Sequence, residues 1–157
     1  MKFIIEQIAM CPKDPAKAIE LLTAMGASEW AHDLVLAKGQ VFGQDGTNSA
    51  RLAFNYDLIQ GKEFEVLHYT EGDNWMNYSH RRNSVSHLGM HCTAEELEGW
   101  RKFFEDRGIQ IAQEVLTHCH SNPVIAGKRW YNYVIFDTKE ILGVDLKFIV
   151  RRDKAPE

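Results

Sequence analysis

The sequence predicts an α+β fold built from two tandem β-α-β-β-β modules. The second half of the chain repeats the first, each half contains one helix with a clear beginning and end, and each half finishes in a strand that follows a glycine. A repeat decides the architecture before local propensities do. One module alone would leave a face of its sheet uncovered, so the modules must pack against each other or against a second chain.

The repeat is visible in the opening strand of each half. The segment QIAM at 7–10 aligns with HLGM at 87–90, and both are short apolar runs that lead into a helix. Gly61 and Gly143, which precede the last strand of each half, are related by almost the same offset. The register is therefore kept from the first strand of each half to the last.

The two helices carry clear end signals. The first is predicted to begin at Asp14, an N-cap residue followed by Pro15, and to end at Gly26. The second spans 93–108, where a Thr-x-x-Glu pattern predicts a capping box and a glycine closes the helix. Its apolar stripe at helical spacing consists of Leu97, Trp100 and Phe104.

Two further strands fit between the helix and the final strand of each half. They are predicted at 30–43 and 48–57, joined by the turn-like sequence GQDGTN, and at 111–119 and 129–137. The chain 1–157 is thus a single domain that consists of module 1 at about 1–69, a polar linker at about 70–84, module 2 at about 85–151 and a short C-terminal tail.

The composition is that of an ordinary globular protein. Of the 157 residues, 45% are hydrophobic and 25% are charged, and the formal net charge is −4. This charge gives no reason to expect nucleic acid as a partner, and the N-terminal apolar run is too short and too polar for a membrane span. The cysteines form no C-x-x-C pair and favour free, buried or half-buried thiols in a cytoplasmic protein: Cys11, Cys92 and Cys119.

A carboxylate interrupts the last strand of the first half. The segment GKEFEVLHY at 61–69 is strand-like and largely apolar, yet Glu65 stands in its middle. The corresponding segment GVDLKFIVR at 143–151 has Lys147 in that place. Whatever Glu65 does, the repeat puts the opposite charge in the equivalent position of the other half.

Three stretches carry a resemblance to a known family: SARLAFNYDLIQGKEFEVLHY, VSHLGMHC and WYNYVIFDTKEILGVDLKFI. Together with the repeat they resemble the vicinal oxygen chelate superfamily, the glyoxalase, bleomycin-resistance and dioxygenase group, and look most like its glyoxalase I and methylmalonyl-CoA epimerase branch. The resemblance covers nearly the whole chain. It implies a curled, cup-like mixed β-sheet, a small-molecule ligand or substrate in the cup, and assembly as a homodimer.

The resemblance also implies four positions that point into the cup, occupied by Gln7, Glu65, His87 and Lys147. The first three match ligand types of a divalent metal site for nickel, zinc, iron, manganese or cobalt, whereas the fourth departs from the expected carboxylate. Such a metal binds two adjacent substrate oxygens and stabilises an enediolate, which is the chemistry of a lyase or isomerase. An ammonium group beside a dication is repelled by it, so Lys147 puts the metal in doubt.

Two main interpretations of Lys147 stay open, and with them the question of whether the protein is an enzyme. Either three ligands hold a metal while Lys147 swings aside or acts as a catalytic base, or its ammonium takes the place of the metal and pairs with Glu65 in a metal-free protein that sequesters a small molecule. A register slip that substitutes Asp145, and a pair of solvent-facing charges, are further alternatives.

Four other residues are candidates for substrate binding. Arg51 suits a carboxylate or phosphate, and His91 follows His87 by four residues, so that both point to the same face of a strand. Trp130 and Tyr131, in the sequence RWYNY, are typical of an apolar cavity wall. Each has a plain structural alternative, as a surface arginine, a hydrogen-bonded histidine or a core aromatic residue.

Overall fold

The computed structural model describes residues 1–72, 83–118 and 127–153. The described elements confirm the predicted α+β class and the order of strands and helices in the two modules. They are β1 Gln7–Cys11, α1 Pro15–Ala24, β2 Ala31–Val41, β3 Gln44–Asn55, β4 Glu63–Gly72, β5 Ser84–His91, α2 Ala94–Glu105, β6 Ile111–His118, β7 Trp130–Phe136, α3 Lys139–Leu142 and β8 Asp145–Arg152. In this part of the chain no helix is long and apolar enough to cross a membrane.

The eight strands form one mixed sheet that closes on itself. Around the barrel the strands follow the order β1-β4-β3-β2-β6-β7-β8-β5. The pairs β1–β4 and β5–β8 are parallel, whereas β1–β5 and β2–β6, which join the two modules, are antiparallel. The predicted cup is therefore present, with each module contributing half of its wall.

Strand register makes the internal repeat explicit. In module 1 Ala9 of β1 lies opposite Glu65 of β4, and in module 2 Gly89 of β5 lies opposite Lys147 of β8. Glu65 and Lys147 are thus equivalent in the two parallel pairs. The glycines that precede β4 and β8 both adopt a positive φ, 68° at Gly61 and 76° at Gly143, as a tight turn into the strand requires.

Both predicted helices are present with the predicted N-caps. The backbone N–H of Lys17 donates to Asp14 at 3.1 Å, and Thr93 and Glu96 form the reciprocal capping box of α2. The apolar stripe of α2 is buried as predicted. Helix α3 was not predicted from the sequence, because its four residues are too few for a periodic pattern.

The hairpin between β2 and β3 differs from the prediction. The sequence GQDGTN was expected to form the turn, but β3 already begins at Gln44, and the turn consists of Phe42 and Gly43 alone. Both residues have a positive φ, 47° and 76°, as a type I′ hairpin turn requires. A phenylalanine rarely adopts this conformation, and here it packs against the core.

Two apolar clusters hold the fold together. One fills the barrel interior around Ala9, Leu52 and Ile135, and the other packs α2 onto the outside of β7 and β8. In the second, the rings of Phe104 and Phe136 stack with centroids 4.2 Å apart. The cysteines Cys11 and Cys92 are buried and half-buried as expected, and Cys119 lies outside the described residues.

Candidate functional site

Four polar side chains from four strands meet inside the barrel. Gln7 of β1, Glu65 of β4, His87 of β5 and Lys147 of β8 are 3%, 1%, 1% and 7% exposed. These are the four positions that the repeat and the resemblance predicted. A buried polar group costs free energy unless it has a partner, so these side chains must satisfy one another or a ligand.

Strand pairing explains why the four side chains converge. Ala9 lies opposite both Glu65 and His87, and Gly89 lies opposite both Gln7 and Lys147. Small residues therefore stand between the large ones. A Cβ atom on Gly89 would fall 2.9 Å from Gln7 Oε1, so the absence of a side chain there makes room for the Gln7 amide.

A chain of hydrogen bonds runs through the cluster. The Gln7 side-chain amide accepts at Oε1 from His87 Nε2 at 2.8 Å and donates from Nε2 to Glu63. Because an amide oxygen only accepts, His87 carries its proton on Nε2, and its Nδ1 accepts from Ser86 Oγ at 2.9 Å. Tyr56 donates to Glu63 Oε2 at 2.9 Å and ends the chain.

The charges of the cluster are set by burial and by Lys147. Burial raises the pKa of Glu65, but the ammonium of Lys147 and the nearby His87 outweigh it, so the pKa lies below its ordinary range. Burial and the same ammonium lower the pKa of His87 to about 4, which leaves the imidazole neutral at neutral pH. Burial and the Glu65 carboxylate raise the pKa of Glu63.

Lys147 makes three contacts at the centre of the site. Its Nζ atom lies 3.9 Å from Glu65 Oε2, donates to Gln7 Oε1 at 3.3 Å, and sits 4.4 Å from the centroid of the Tyr133 ring. Among the described residues, Glu65 Oε2 has no hydrogen-bond partner, although His87 Nε2 is 3.4 Å away. An unpartnered buried carboxylate oxygen is suited to accept a hydrogen bond from a ligand.

A cavity of about 290 Å³ opens above this cluster inside the barrel. Its floor contains Gln7, Glu65 and Lys147, and its walls carry both aromatic and charged side chains. The wall residues include Asp33, Phe54, Tyr56, Arg129, Tyr131 and Tyr133. A small cavity with an apolar wall and a few convergent polar groups has the usual form of a small-molecule site.

The substrate-binding candidates divide between the cavity and the outside. Tyr131 and His91 line the cavity, and His91 Nδ1 contacts Glu6 Oε2 at 3.2 Å. Trp130 and Arg51 are not among the cavity-lining residues of the described chain. Trp130 packs its ring 4.5 Å from that of His118, and Arg51 is exposed on β3.

Several residues that line the cavity were not among the candidates predicted from the sequence, although strand alternation indicates them. Glu63 precedes Glu65 by two residues and so shares its face of β4, while Tyr133 and Arg129 flank Tyr131 at the same spacing. Asp145 was the candidate for a register slip. No slip occurs: Asp145 lies opposite His87 in the register of the parallel strands β5 and β8, and its carboxylate accepts from the backbone N–H of Lys139 at 3.1 Å.

The cluster offers a divalent cation three donors and places an ammonium group at the fourth position. His87 Nε2 lies 2.8 Å from Gln7 Oε1 and 3.4 Å from Glu65 Oε2, distances suited to neighbouring ligands. Lys147, however, stands where a fourth donor is needed, and its charge already balances Glu65. The described residues contain no group of three His, Cys, Asp or Glu side chains able to hold a metal ion.

Comparison of the sequence with known families and curated proteins finds no match, whereas comparison of the structure with solved structures finds several. No protein-family model and no curated protein matches the sequence. A variant of 4-hydroxymandelate synthase from Streptomyces coelicolor matches with a TM-score of 0.56 and 12% identity over 98% of this chain, which spans half the length of that enzyme.

Two structures of methylmalonyl-CoA epimerase match over 97% of both chains. One, from Streptomyces coelicolor with 2-nitronate-propionyl-CoA, has a TM-score of 0.53 and 15% identity. The other, in complex with methylmalonyl-CoA and NH4+, has a TM-score of 0.52 and 14% identity. The chain therefore has the vicinal oxygen chelate fold, which confirms the resemblance drawn from the sequence at the level of the fold.

Proposed function

We propose that this protein binds a small molecule in the barrel cavity without a metal ion, as the sequestering members of a resistance-type family would. The supporting observation is the position of Lys147, whose Nζ atom lies 3.9 Å from Glu65 Oε2 and 3.3 Å from Gln7 Oε1. One carboxylate and one ammonium balance each other inside the buried cluster. No imported charge is needed, and an added dication would be repelled by Lys147.

The ligand that best suits the cavity is planar and carries an oxygen atom. The rings of Tyr131 and Tyr133 stack on each other with centroids 5.7 Å apart, and Lys147 Nζ lies over the Tyr133 ring. Tyr131, which lines the cavity, is therefore the aromatic surface that a flat partner can contact. The ammonium of Lys147 lies on the floor, where it can donate to a carbonyl or hydroxyl oxygen. The volume of about 290 Å³ suits a molecule of one or two rings.

Binding of the neutral planar compound 2-naphthamide tests the proposal. Ligand-observed NMR titration is expected to give the same affinity with and without excess EDTA. Tyr131→Ala should weaken binding, whereas Phe103→Ala, which alters an aromatic side chain on α2 outside the barrel, should leave it unchanged. Loss of binding in the presence of EDTA, or an unchanged affinity in Tyr131→Ala, would contradict the proposal.

A divalent-metal lyase or isomerase that acts on a substrate with two vicinal oxygens is the second candidate. The observation that favours it is the close approach of Gln7 Oε1 and His87 Nε2, 2.8 Å, with Glu65 Oε2 3.4 Å from the same histidine. Elemental analysis after incubation with nickel, zinc, manganese or iron(II) and desalting decides between the two. A metal content near one per chain would replace the metal-free proposal with this one.

We further propose that the protein is a homodimer, and that it is located in the cytosol because its cysteines form no C-x-x-C pair and are odd in number. None of the residues of α1 is buried, and Leu21 and Met25 at its C-terminal end are 62% and 71% exposed. An apolar helix surface that the described part of the chain leaves uncovered suits a subunit interface. Light scattering should give twice the chain mass, and Leu21→Glu should shift the mass toward that of one chain; a monomeric wild type would refute the dimer.

A further inference from the structure

Arg129 is a half-buried cation in the outer wall of the cavity. It immediately precedes β7, and residues 129, 131 and 133 alternate onto the inner face of that strand, so its side chain shares the wall with Tyr131 and Tyr133. Sequence reasoning had assigned the anion-binding role to Arg51, which is exposed on β3 and outside the cavity.

Within the described part of the chain no carboxylate pairs with the Arg129 guanidinium. The carboxylates of the cavity are engaged elsewhere, because Glu65 faces Lys147, Glu63 accepts from Tyr56, and Asp33 accepts from the backbone N–H of Leu34 at 2.7 Å. A guanidinium that is partly removed from water and lacks a counter-ion is suited to bind an anionic group in two-point geometry.

The two tyrosines connect Arg129 to the floor of the cavity. Lys147 Nζ lies 4.4 Å from the Tyr133 ring, Tyr133 stacks on Tyr131, and Arg129 follows two residues along the strand. At the usual rise per residue, about 13 Å of strand separates residues 129 and 133. A flat molecule that packs against Tyr131, which lies between the two cations along the strand, would thus have Lys147 near one end and Arg129 toward the other.

From this arrangement we infer that the natural ligand is a planar aromatic anion, whose ring system packs against Tyr131 and whose carboxylate is held by Arg129. The inference rests on the proposed function, since it presumes that the cavity binds a small molecule. The ligand then belongs to the class of planar aromatic anions, and Arg129 is the residue that determines specificity for its charge.

A matched pair of probes tests the inference. The carboxylate 2-naphthoate and the amide 2-naphthamide have the same ring system and nearly the same size, and differ in charge. By ligand-observed NMR titration the wild-type protein should bind 2-naphthoate more tightly, by about tenfold, the size expected for one charge-assisted contact. Arg129→Gln should abolish this preference and leave 2-naphthamide binding unchanged, and Arg129→Lys should keep part of it.

Two further variants serve as controls. Arg107→Gln removes an exposed arginine on the outside of the barrel, where it contacts the Phe103 ring, and should keep the preference for 2-naphthoate. Arg51→Gln should also keep it. A preference that persists in Arg129→Gln, or that is lost in Arg51→Gln instead, would overturn the inference while the cavity still binds 2-naphthamide. Failure of the wild type to bind either probe would overturn the proposed function and this inference together.

Discussion

The ammonium of Lys147 lies 3.9 Å from a carboxylate oxygen of Glu65 in the barrel interior, and the internal repeat makes the two residues equivalent. Each side chain is nearly inaccessible to water, so each depends on the other for charge balance. An internal repeat has thus placed opposite charges at corresponding positions of the two modules.

Removing either partner of the pair should destabilise the protein, because the other charge is left buried and unpaired. Lys147→Met and Glu65→Gln should each lower the free energy of unfolding by roughly 3–5 kcal/mol, and the double variant should recover most of the loss. Urea denaturation of the four proteins gives the coupling energy. Lys102→Met, which breaks an exposed ion pair with Asp106 on α2, is the control and should have little effect. Additive losses in the double variant would show that the pair is not coupled.

Lys147→Glu should convert the cluster into a metal site. The change supplies a carboxylate at the fourth position and removes the cation that repels a dication, next to an amide, an imidazole and Glu65. Excess nickel should then raise the melting temperature of the variant, since the metal binds only the folded state, and should leave the wild type unchanged. Lys147→Met separates the two effects, because it removes the ammonium without adding a ligand. A similar rise in the wild type would count against the metal-free proposal.

Much of the fold could be predicted from the sequence because its signals are repeated. Caps, glycines and apolar strands occur twice at a nearly constant offset, so that each module supports the assignment of the other. The turn at Phe42 could not be predicted, since no propensity places an aromatic residue in the left-handed region. In the structure this residue packs against the core, and its backbone N–H donates to the Ala112 carbonyl at 2.9 Å. Helix α3 was too short to leave a periodic signal.

The positions of the candidate site were predictable, and the contact between Lys147 and Glu65 was one of two interpretations, but the other contacts were not predictable. Strand alternation places Gln7, Glu65, His87 and Lys147 on inner faces, and the structure brings them together. Which hydrogen bonds form among these side chains depends on distances of a few tenths of an ångström, which a sequence does not contain. In RWYNY, strand alternation turns the first, third and fifth residues inward, so Arg129 and Tyr133 accompany Tyr131 into the cavity. The aromatic character of the segment indicated Trp130 instead of Arg129, although Trp130 does not line the cavity.

His87 should make the stability of the protein depend on pH on the acidic side. Burial, reinforced by the Lys147 ammonium, lowers the pKa of His87 from 6.5 to about 4 in the folded chain. Between these values the unfolded state binds more protons, so the free energy of unfolding falls as the pH falls from 6.5 toward 4. Urea denaturation at several pH values measures the slope.

The contribution of His87 can be isolated by substitution. His87→Gln keeps a side chain that can donate to Gln7 Oε1 but cannot titrate, and it should flatten the slope within this pH window. His68→Gln, which replaces an exposed histidine on β4, should leave the slope as in the wild type. An unchanged slope in His87→Gln would mean that the imidazole does not drive the acid destabilisation.

Cys92 should react slowly with alkylating agents. Burial and the carboxylates of Glu96 and Glu6 raise the pKa of its thiol to about 11, and only the thiolate is nucleophilic. The rate of modification by iodoacetamide, followed by mass spectrometry of the peptide that contains Cys92, should therefore continue to rise with pH well beyond the range in which a free cysteine levels off. Glu96→Gln keeps an acceptor for the capping box of α2 and removes a negative charge, so it should speed the reaction at a given pH. A rate that levels off near the ordinary cysteine pKa, with no response to Glu96→Gln, would show that these carboxylates do not control the thiol.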